Sequence, residues 1–330
     1  MTENLAERLA SLTPQQRRAL ALRMRDRATT PLGLGELSYA QERIWFLDQM
    51  DPGDPAFNLL LAIRLRGPLD GPALQQALQG VIARHESLRV VFAQTAGGPR
   101  QVLHEPDLVL LTRLDARSFP DPHAEVRRLA MDLGQRRFNL ATGPLLAARL
   151  IRVDDDEHTL LVLVHHVVFD GWSSQVFASD LAGLYAQSVT GEPAQLPAIP
   201  RQFRQCAAEE RRQLTDDVMQ HELTYWRDRL AGAPAESAIP ADLPRPREPS
   251  HQGERRLVAF PAALTERLAT LARGAGTTMT AVLAGATAAV LHRYGAPQDV
   301  LLGVPVAGRS STDLEPVIGC FAERAATVRG

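Results

Sequence analysis

The sequence lacks most of the features that would place it quickly. Its 330 residues contain only two cysteines, Cys206 and Cys320. Two thiols so far apart build neither a disulfide framework nor a metal knuckle, so a reducing cytoplasm is the expected compartment. No apolar run approaches the roughly 20 residues that a membrane span needs, and the acidic start, Met1 to Glu7, has no signal-peptide character. An excess of one charge is missing too. The 36 Lys and Arg against 38 Asp and Glu leave a formal net charge of −2, which gives no electrostatic reason to expect nucleic acid or an anionic membrane as a partner. Arg greatly outnumbers Lys, a mark of genomic composition more than of chemistry. What is present is bulk. With 45% hydrophobic and 22% charged residues, the chain can build a sizeable core, expected as two domains or lobes.

Nine residues stand out, His165 to Ser173. They follow an apolar, β-favouring run, Thr159 to Val164, and precede a helix-like stretch, Ser174 to Ser188. Along a strand successive side chains point to opposite faces, so His165 and His166 are not expected to face one cavity. One ring is expected in the packed sheet and the other in a cleft. Adjacent histidines on a strand are poor zinc co-ligands, and no Cys or acidic pair stands nearby at metal spacing, so no metal is expected. A free imidazole facing a cleft suits general-base work, because its ordinary pKa lies near neutrality. Asp170 lies too far along to act as a simple relay and reads as an ion-paired anchor of the corner. Gly171 would permit a sharp turn and close backbone approach of a ligand. Ser173 is a candidate N-cap for the helix that follows. The composite pattern, strand before and helix after, points to acyl transfer. A packed histidine followed by an ordinary Asp-Gly turn is the plain alternative.

Along the rest of the chain, residues 3–27 read as two short helices and 28–35 as a Thr/Pro/Gly linker. A helix is expected over Ser38 to Met50, a strand over Asn58 to Leu65, a helix over Gly71 to His85 and a strand over Leu88 to Phe92. Strand signals at Val102 and Leu108 to Leu111 precede a charged helix, Pro122 to Phe138. Two adjacent strands, Leu145 to Val153 and Thr159 to Val168, flank an acidic turn. A polar helix is expected over 201–230, then a Pro-rich crossing, a strand at Arg255 to Phe260 and helices at Pro261 to Arg273 and Met279 to Tyr294. A last strand, Val300 to Val306, leads into a loop that runs through Asp313. The alternation of strands and helices gives a mixed α/β fold. The expected domains are an arm and linker at 1–33, a first lobe at 34–200 and a second lobe at 201–330.

Laid out in this way, the chain resembles the condensation domains of non-ribosomal peptide synthetases. Leu37 to Leu47 resembles the first family motif, Arg84 to Arg89 the second and His165 to Ser173 the active-site motif. Phe138 to Leu140 with Gly143 to Leu145 resembles the segment before the active-site strand, and Ile318 to Phe321 the start of a later motif. The match runs over about 34–329, in the family's order. Two departures stand out. Phe203 to Ala208 keeps only part of an aromatic-rich motif, and Glu323-Arg324 stands where the family has Asn-Thr.

The resemblance implies two chloramphenicol-acetyltransferase-like lobes arranged as a V, with a tunnel that admits phosphopantetheine arms from both sides. The chain stops before the family's last two motifs, so the second lobe is expected to be incomplete. A partner chain would finish it, or the chain is a truncated piece or a degenerate remnant. By position His166 would be the catalytic histidine and His165 structural. Asp170 would pair with an arginine from the other lobe, for which Arg309 is the candidate. Gly171 would face the reacting thioester, and Trp172 and Ser173 would shape the tunnel wall. No cofactor is expected to bind directly; substrates would arrive on the 4'-phosphopantetheine arms of donor and acceptor carrier proteins. Adjacent synthetase modules are further implied partners. The first motif resembles the subtype that joins an L-configured donor to an L-configured acceptor. Two other readings stay open: a stand-alone acyltransferase, and a carrier-protein-binding module without catalysis.

Overall fold

Five consecutive residues, Leu160 to Val164, are at most 1% exposed and organise the architecture. A strand buried on both faces is a continuous apolar run rather than an alternating one. In a computed structural model of the chain, the structure describes residues 32–106, 109–233, 243–244, 247, 256–296, 299–321 and 323–325. The helices expected over 3–27 and most of the Pro-rich crossing lie outside these residues.

The described residues divide into two compact units, those within Met1–Thr215 and Ala307–Ala322, and those within Asp216–Val306 and Glu323–Gly330. The first unit begins with β1 (Gly33–Gly35), α1 (Tyr39–Met50), β2 (Asn58–Arg66) and α2 (Gly71–Arg84). Strands β3 (Val90–Thr95), β4 (Gly98–Leu103) and β5 (Leu111–Asp115) lead to α3 (Pro122–Gly134). Then come β6 (Leu146–Arg152), β7 (Glu157–His165), α4 (Ser173–Thr190) and α5 (Phe203–Gln213). A four-stranded sheet runs in the order β2-β7-β6-β5, with only β5 and β6 parallel, and a three-stranded sheet runs β1-β4-β3. The register sets Asn58 opposite His165 and Leu146 opposite Val164. Helices α2 and α4 bury Leu74, Leu78, Val81, Phe177 and Leu181 in the same core as β7. A polar link also ties these two helices, because Asp180 on α4 takes Nε of Arg84 and lies 2.8 Å from Nε2 of buried His85, just past α2.

The second unit holds α6 (Asp216–Leu230), α7 (Ala262–Gly274), α8 (Met279–Arg293), β8 (Val304–Val306) and β9 (Glu323–Ala325). Strands β8 and β9 pair antiparallel, Val304 opposite Ala325. Within this unit α8, although apolar in sequence, buries none of its residues. No single helix among the described residues is long and apolar enough to cross a membrane.

The mixed α/β class agrees with the sequence, while several boundaries move. The polar helix expected over 201–230 is two helices, broken at Leu214, which ends α5 with ψ 66°. Residues 256–260 join no strand among the described residues, and the strand expected from Val300 shrinks to Val304–Val306. A domain boundary at 200 also differs from the observed division. Helix α5 belongs to the first unit because its side chains bind α1 and its approach. Arg211 donates to Leu37 O at 2.8 Å, stacks 3.8 Å over the Tyr39 ring and pairs with Glu42, while Glu210 accepts the Tyr39 N–H.

His165 closes β7 inside this core. It is 1% exposed, and its ring lies 6.2 Å from Phe57 and 6.1 Å from Phe138, edge-on to the latter. Burial, helped by the neighbouring His166, pushes its pKa down from 6.5 to about 4. Burial also lowers His85, against the pull of Asp180. A folded-state value below the unfolded one means that the unfolded chain takes up the proton first as pH falls, so stability is full above about pH 6.5 and declines toward pH 4. For His165 alone the loss by about pH 4.5 is expected to be about 2–3 kcal/mol in urea denaturation. His165→Gln is expected to flatten that part of the pH slope; an unchanged slope would assign the effect elsewhere.

Candidate active site

The sequence extends β7 to Val168, but the strand ends at His165. The cause is local: Nδ1 of His165 accepts the N–H of Val167 at 3.2 Å and curls residues His166–Val168 into a single 3₁₀ turn. The two histidines therefore part company at a turn rather than by simple strand alternation. His165 is sealed in the core, while His166 is half-buried, with Nδ1 3.8 Å from Sγ of Cys320. The turn is also held from outside by Gln41, a fully buried residue of α1. Its side-chain amide donates to Val167 O at 3.0 Å and its oxygen accepts the Ser38 N–H at 3.1 Å. Since Gln41 N–H in turn donates to Ser38 Oγ, the capping box that starts α1 and the turn carrying His166 share one side chain.

After the turn, buried Phe169 packs edge-on against Phe177 at 6.2 Å, and Asp170 follows, 1% exposed. The Asp170 carboxylate accepts five hydrogen bonds. Oδ1 takes Ser173 N at 2.8 Å, Ser173 Oγ at 2.7 Å and Arg309 Nη2 at 3.2 Å. Oδ2 takes Arg309 Nη1 at 2.8 Å and Phe321 N at 3.1 Å. Arg309 is equally enclosed, its side chain 2% exposed, and its guanidinium also reaches Ala307 O and Val317 O while lying 4.4 Å over the Phe321 ring. These bonds offset desolvation of the buried pair, although Nε of Arg309 has no hydrogen-bond partner among the described residues.

Arg309 was expected from the other lobe. It belongs instead to the same compact unit as Asp170, because the segment Ala307–Ala322 is strapped onto that unit. Ser87 Oγ donates to Ile318 O at 2.8 Å, and Gly319 N–H donates to Ser173 Oγ at 3.1 Å. Phe203 and Phe321 stack edge-to-face at 4.8 Å. Glycine at 319 is required by close approach, since a Cβ there would stand 2.0 Å from Phe203 Cδ2.

The remaining expected residues take different places. Ser173 is the first residue of α4 and not its N-cap; Asp170 accepts its N–H, and with 0% exposure it lines no open tunnel. Trp172 is 39% exposed, donates Nε1–H to Glu315 O at 3.0 Å and walls a cleft of about 510 Å³ with Val176, Pro197 and Pro200. His166 is not on the wall of that cleft. Gly171 is exposed, has no positive φ, and an added Cβ would meet nothing within 4 Å. Neither turn geometry nor packing therefore demands glycine there, and the space beside it is open.

Gln41 and Cys320 escaped the sequence reading as site residues. Both lie inside family-like motifs, but nothing in the sequence marks the buried amide of Gln41 or the thiol of Cys320 as neighbours of His166. Burial and the charge of Asp170 push the Cys320 thiol up to about 12, so it is a neutral S–H and no nucleophile. Among the described residues no group of three or more His, Cys, Asp or Glu is placed to hold a metal ion.

Comparison with known proteins adds the family. The model of the condensation domain matches residues 34–326. One of the linear gramicidin synthase proteins of Brevibacillus parabrevis is 40% identical over 86% of this chain and 4% of its own length. Phosphinothricin tripeptide synthetase PhsC of Streptomyces viridochromogenes is 38% identical over 97% of this chain and 31% of its own length. Among solved structures, the X-domain in its complex with OxyB from teicoplanin biosynthesis is 33% identical with a TM-score of 0.78, covering 92% of this chain and 66% of that one. The chain thus spans a small part of the curated relatives it matches. A family match across 34–326, together with these relatives, places this chain in the condensation-domain family.

Proposed function

We propose that the chain forms an amide bond between a donor acyl or aminoacyl thioester and an acceptor amine, each carried on the 4'-phosphopantetheine arm of a carrier protein. One observation carries this reading. Of the two polar groups at the heart of the motif, Asp170 has its oxygens fully used by five donors, whereas His166 is half-exposed with a single hydrogen-bond partner among the described residues. Only the imidazole is free to meet a substrate. His166 is then the catalytic residue, His165 and the Asp170–Arg309 pair fix its turn, and open space beside Gly171 leaves room for the thioester.

In this reaction the acceptor nitrogen attacks the thioester carbonyl, a C–N bond forms, the C–S bond breaks, and the amine proton ends on the departing sulfur. The attack needs an unprotonated amine held in line with the carbonyl, so alignment supplies more of the acceleration than proton transfer, with His166 orienting or deprotonating the amine. The first motif supports an L-donor, L-acceptor pairing, and the chain composition supports a cytoplasmic setting. Neighbouring synthetase modules are the natural carriers of both substrates.

Likeness to an X-domain solved in complex with OxyB favours a second reading, a protein-binding module without turnover. A stand-alone acyltransferase is separated by offering a soluble amine or alcohol in place of the carrier-bound acceptor.

His166→Ala is expected to abolish dipeptidyl product with loaded donor and acceptor carrier proteins, while changing stability by less than about 1 kcal/mol. Unchanged yield overturns the reading, and carrier binding without product in the unaltered chain establishes the binding module. Asp170→Ala is expected to lose product through the fold, since it strands the Arg309 charge in the interior and costs about 3–5 kcal/mol in denaturant titrations.

A further inference from the structure

The one hydrogen bond made by the His166 ring among the described residues goes to a thiol, and that thiol is held with unusual care. Cys320 is 1% exposed. Its chain neighbours are each clamped by the motif that carries His166. The Gly319 N–H donates to Ser173 Oγ at 3.1 Å and the Phe321 N–H to Asp170 Oδ2 at 3.1 Å. One residue further back, Ile318 O is taken by Ser87. The close approach of Phe203 to Gly319 blocks movement from the other side. The backbone at 320 is therefore fixed by the same Asp170 and Ser173 that end the histidine turn, and Sγ is delivered to Nδ1 of His166 at 3.8 Å.

Burial keeps this sulfur protonated, which removes it from consideration as a nucleophile and leaves it a hydrogen-bonding role. A neutral imidazole has one nitrogen that donates and one that accepts, and the partner of one nitrogen decides the other. Thiol sulfur is a poor acceptor, whereas the imidazole lone pair is a good one, so the favoured bond runs from S–H to nitrogen.

We propose that Cys320 is a positioning residue whose S–H donates to Nδ1 of His166 and holds the neutral ring with its hydrogen on Nε2. Resting on the proposed amide-forming reaction, this removes deprotonation of the amine from the tasks of His166 and gives its ring another. A ring with hydrogen on Nε2 presents a donor, so it stabilises the oxyanion that develops on the thioester oxygen as the amine attacks. The ring keeps that hydrogen throughout. The proton lost by the nitrogen passes to the sulfur that leaves, so the atoms balance without a second acid or base.

The test is spectroscopic. Long-range ¹H–¹⁵N correlation spectra of the full chain with labelled histidine, at about pH 8 where imidazole is neutral, read the tautomer directly. His166→Gln assigns the signal by its loss. The unaltered chain and Cys320→Ser are expected to show the Nε2–H form, and Cys320→Ala a mixture of both forms. A dominant Nδ1–H form in the unaltered chain overturns the proposal, as does a Cys320→Ala spectrum identical to it. The first measurement needs only the assigning variant His166→Gln to fold, not a change at Cys320. In turnover, Cys320→Ala is expected to lower kcat about tenfold with little change in KM, and Cys320→Ser to restore most of it; a serine variant as slow as alanine refutes the donor role. Because the tautomer is read without turnover, its failure is distinct from a failure of His166 as the catalytic residue.

Discussion

The ion pair between Asp170 and Arg309 is the constraint on which the rest of the site depends. Both side chains are almost wholly removed from solvent, at 1% and 2% exposure. Desolvation makes such a pair costly unless every lone pair and hydrogen is used. Here the remaining capacity of the carboxylate goes to Ser173 and Phe321, and the terminal guanidinium nitrogens reach backbone carbonyls, leaving only the buried Nε without a partner among the described residues. Satisfying the charge thus forces two distant pieces of chain, the start of α4 and the segment 317–321, into one arrangement. The ion pair is better understood as a specifier of geometry than as a source of net stability.

That division of labour explains why two adjacent, chemically identical residues behave so differently. His165 lies among Phe57, Phe138 and the end of β7, and burial there keeps it neutral. Its neutral Nδ1 is free to accept the Val167 N–H, which turns the chain and brings His166 out of the core. A protonated His165 could not accept that bond. Burial, by keeping the His165 ring neutral, is therefore part of how the half-buried His166 ring is placed.

Much of this was legible in the sequence where the signal is local. The apolar run Leu160 to Val164 announces a strand buried on both faces, and α1, α2 and α4 follow from their periodicity within a residue or two. The motif residues also pointed correctly to a corner between strand and helix. Other features were not legible because distant side chains decide them. The three residues cut from the end of β7 depend on a side-chain bond within the turn, and no propensity scale contains it. Assigning Ala307–Ala322 to the first unit depends on Ser87, Asp170 and Ser173, more than a hundred residues away. The break at Leu214 separates α5 from α6 because the first docks on α1 through Arg211, a contact between residues far apart in sequence.

Gln41 shows how far apart in sequence a single mechanical unit can be. Read alone, it is the third residue of a capping box and needs no further explanation. Its amide has two ends, however, and a capping box uses only the oxygen. The NH2 group would be left unsatisfied in a fully buried setting unless something accepted from it, and leaving it so would cost roughly 1–3 kcal/mol. The acceptor is the carbonyl of Val167, next to the catalytic candidate. Helix α1 therefore cannot shift its start without releasing the turn, and the turn cannot reopen into strand without stranding the amide. Three stretches far apart in the chain, around Gln41, His166 and Cys320, meet at one turn, Gln41 on its backbone and Cys320 on its imidazole, so the turn is held by packing that is complete before any substrate arrives.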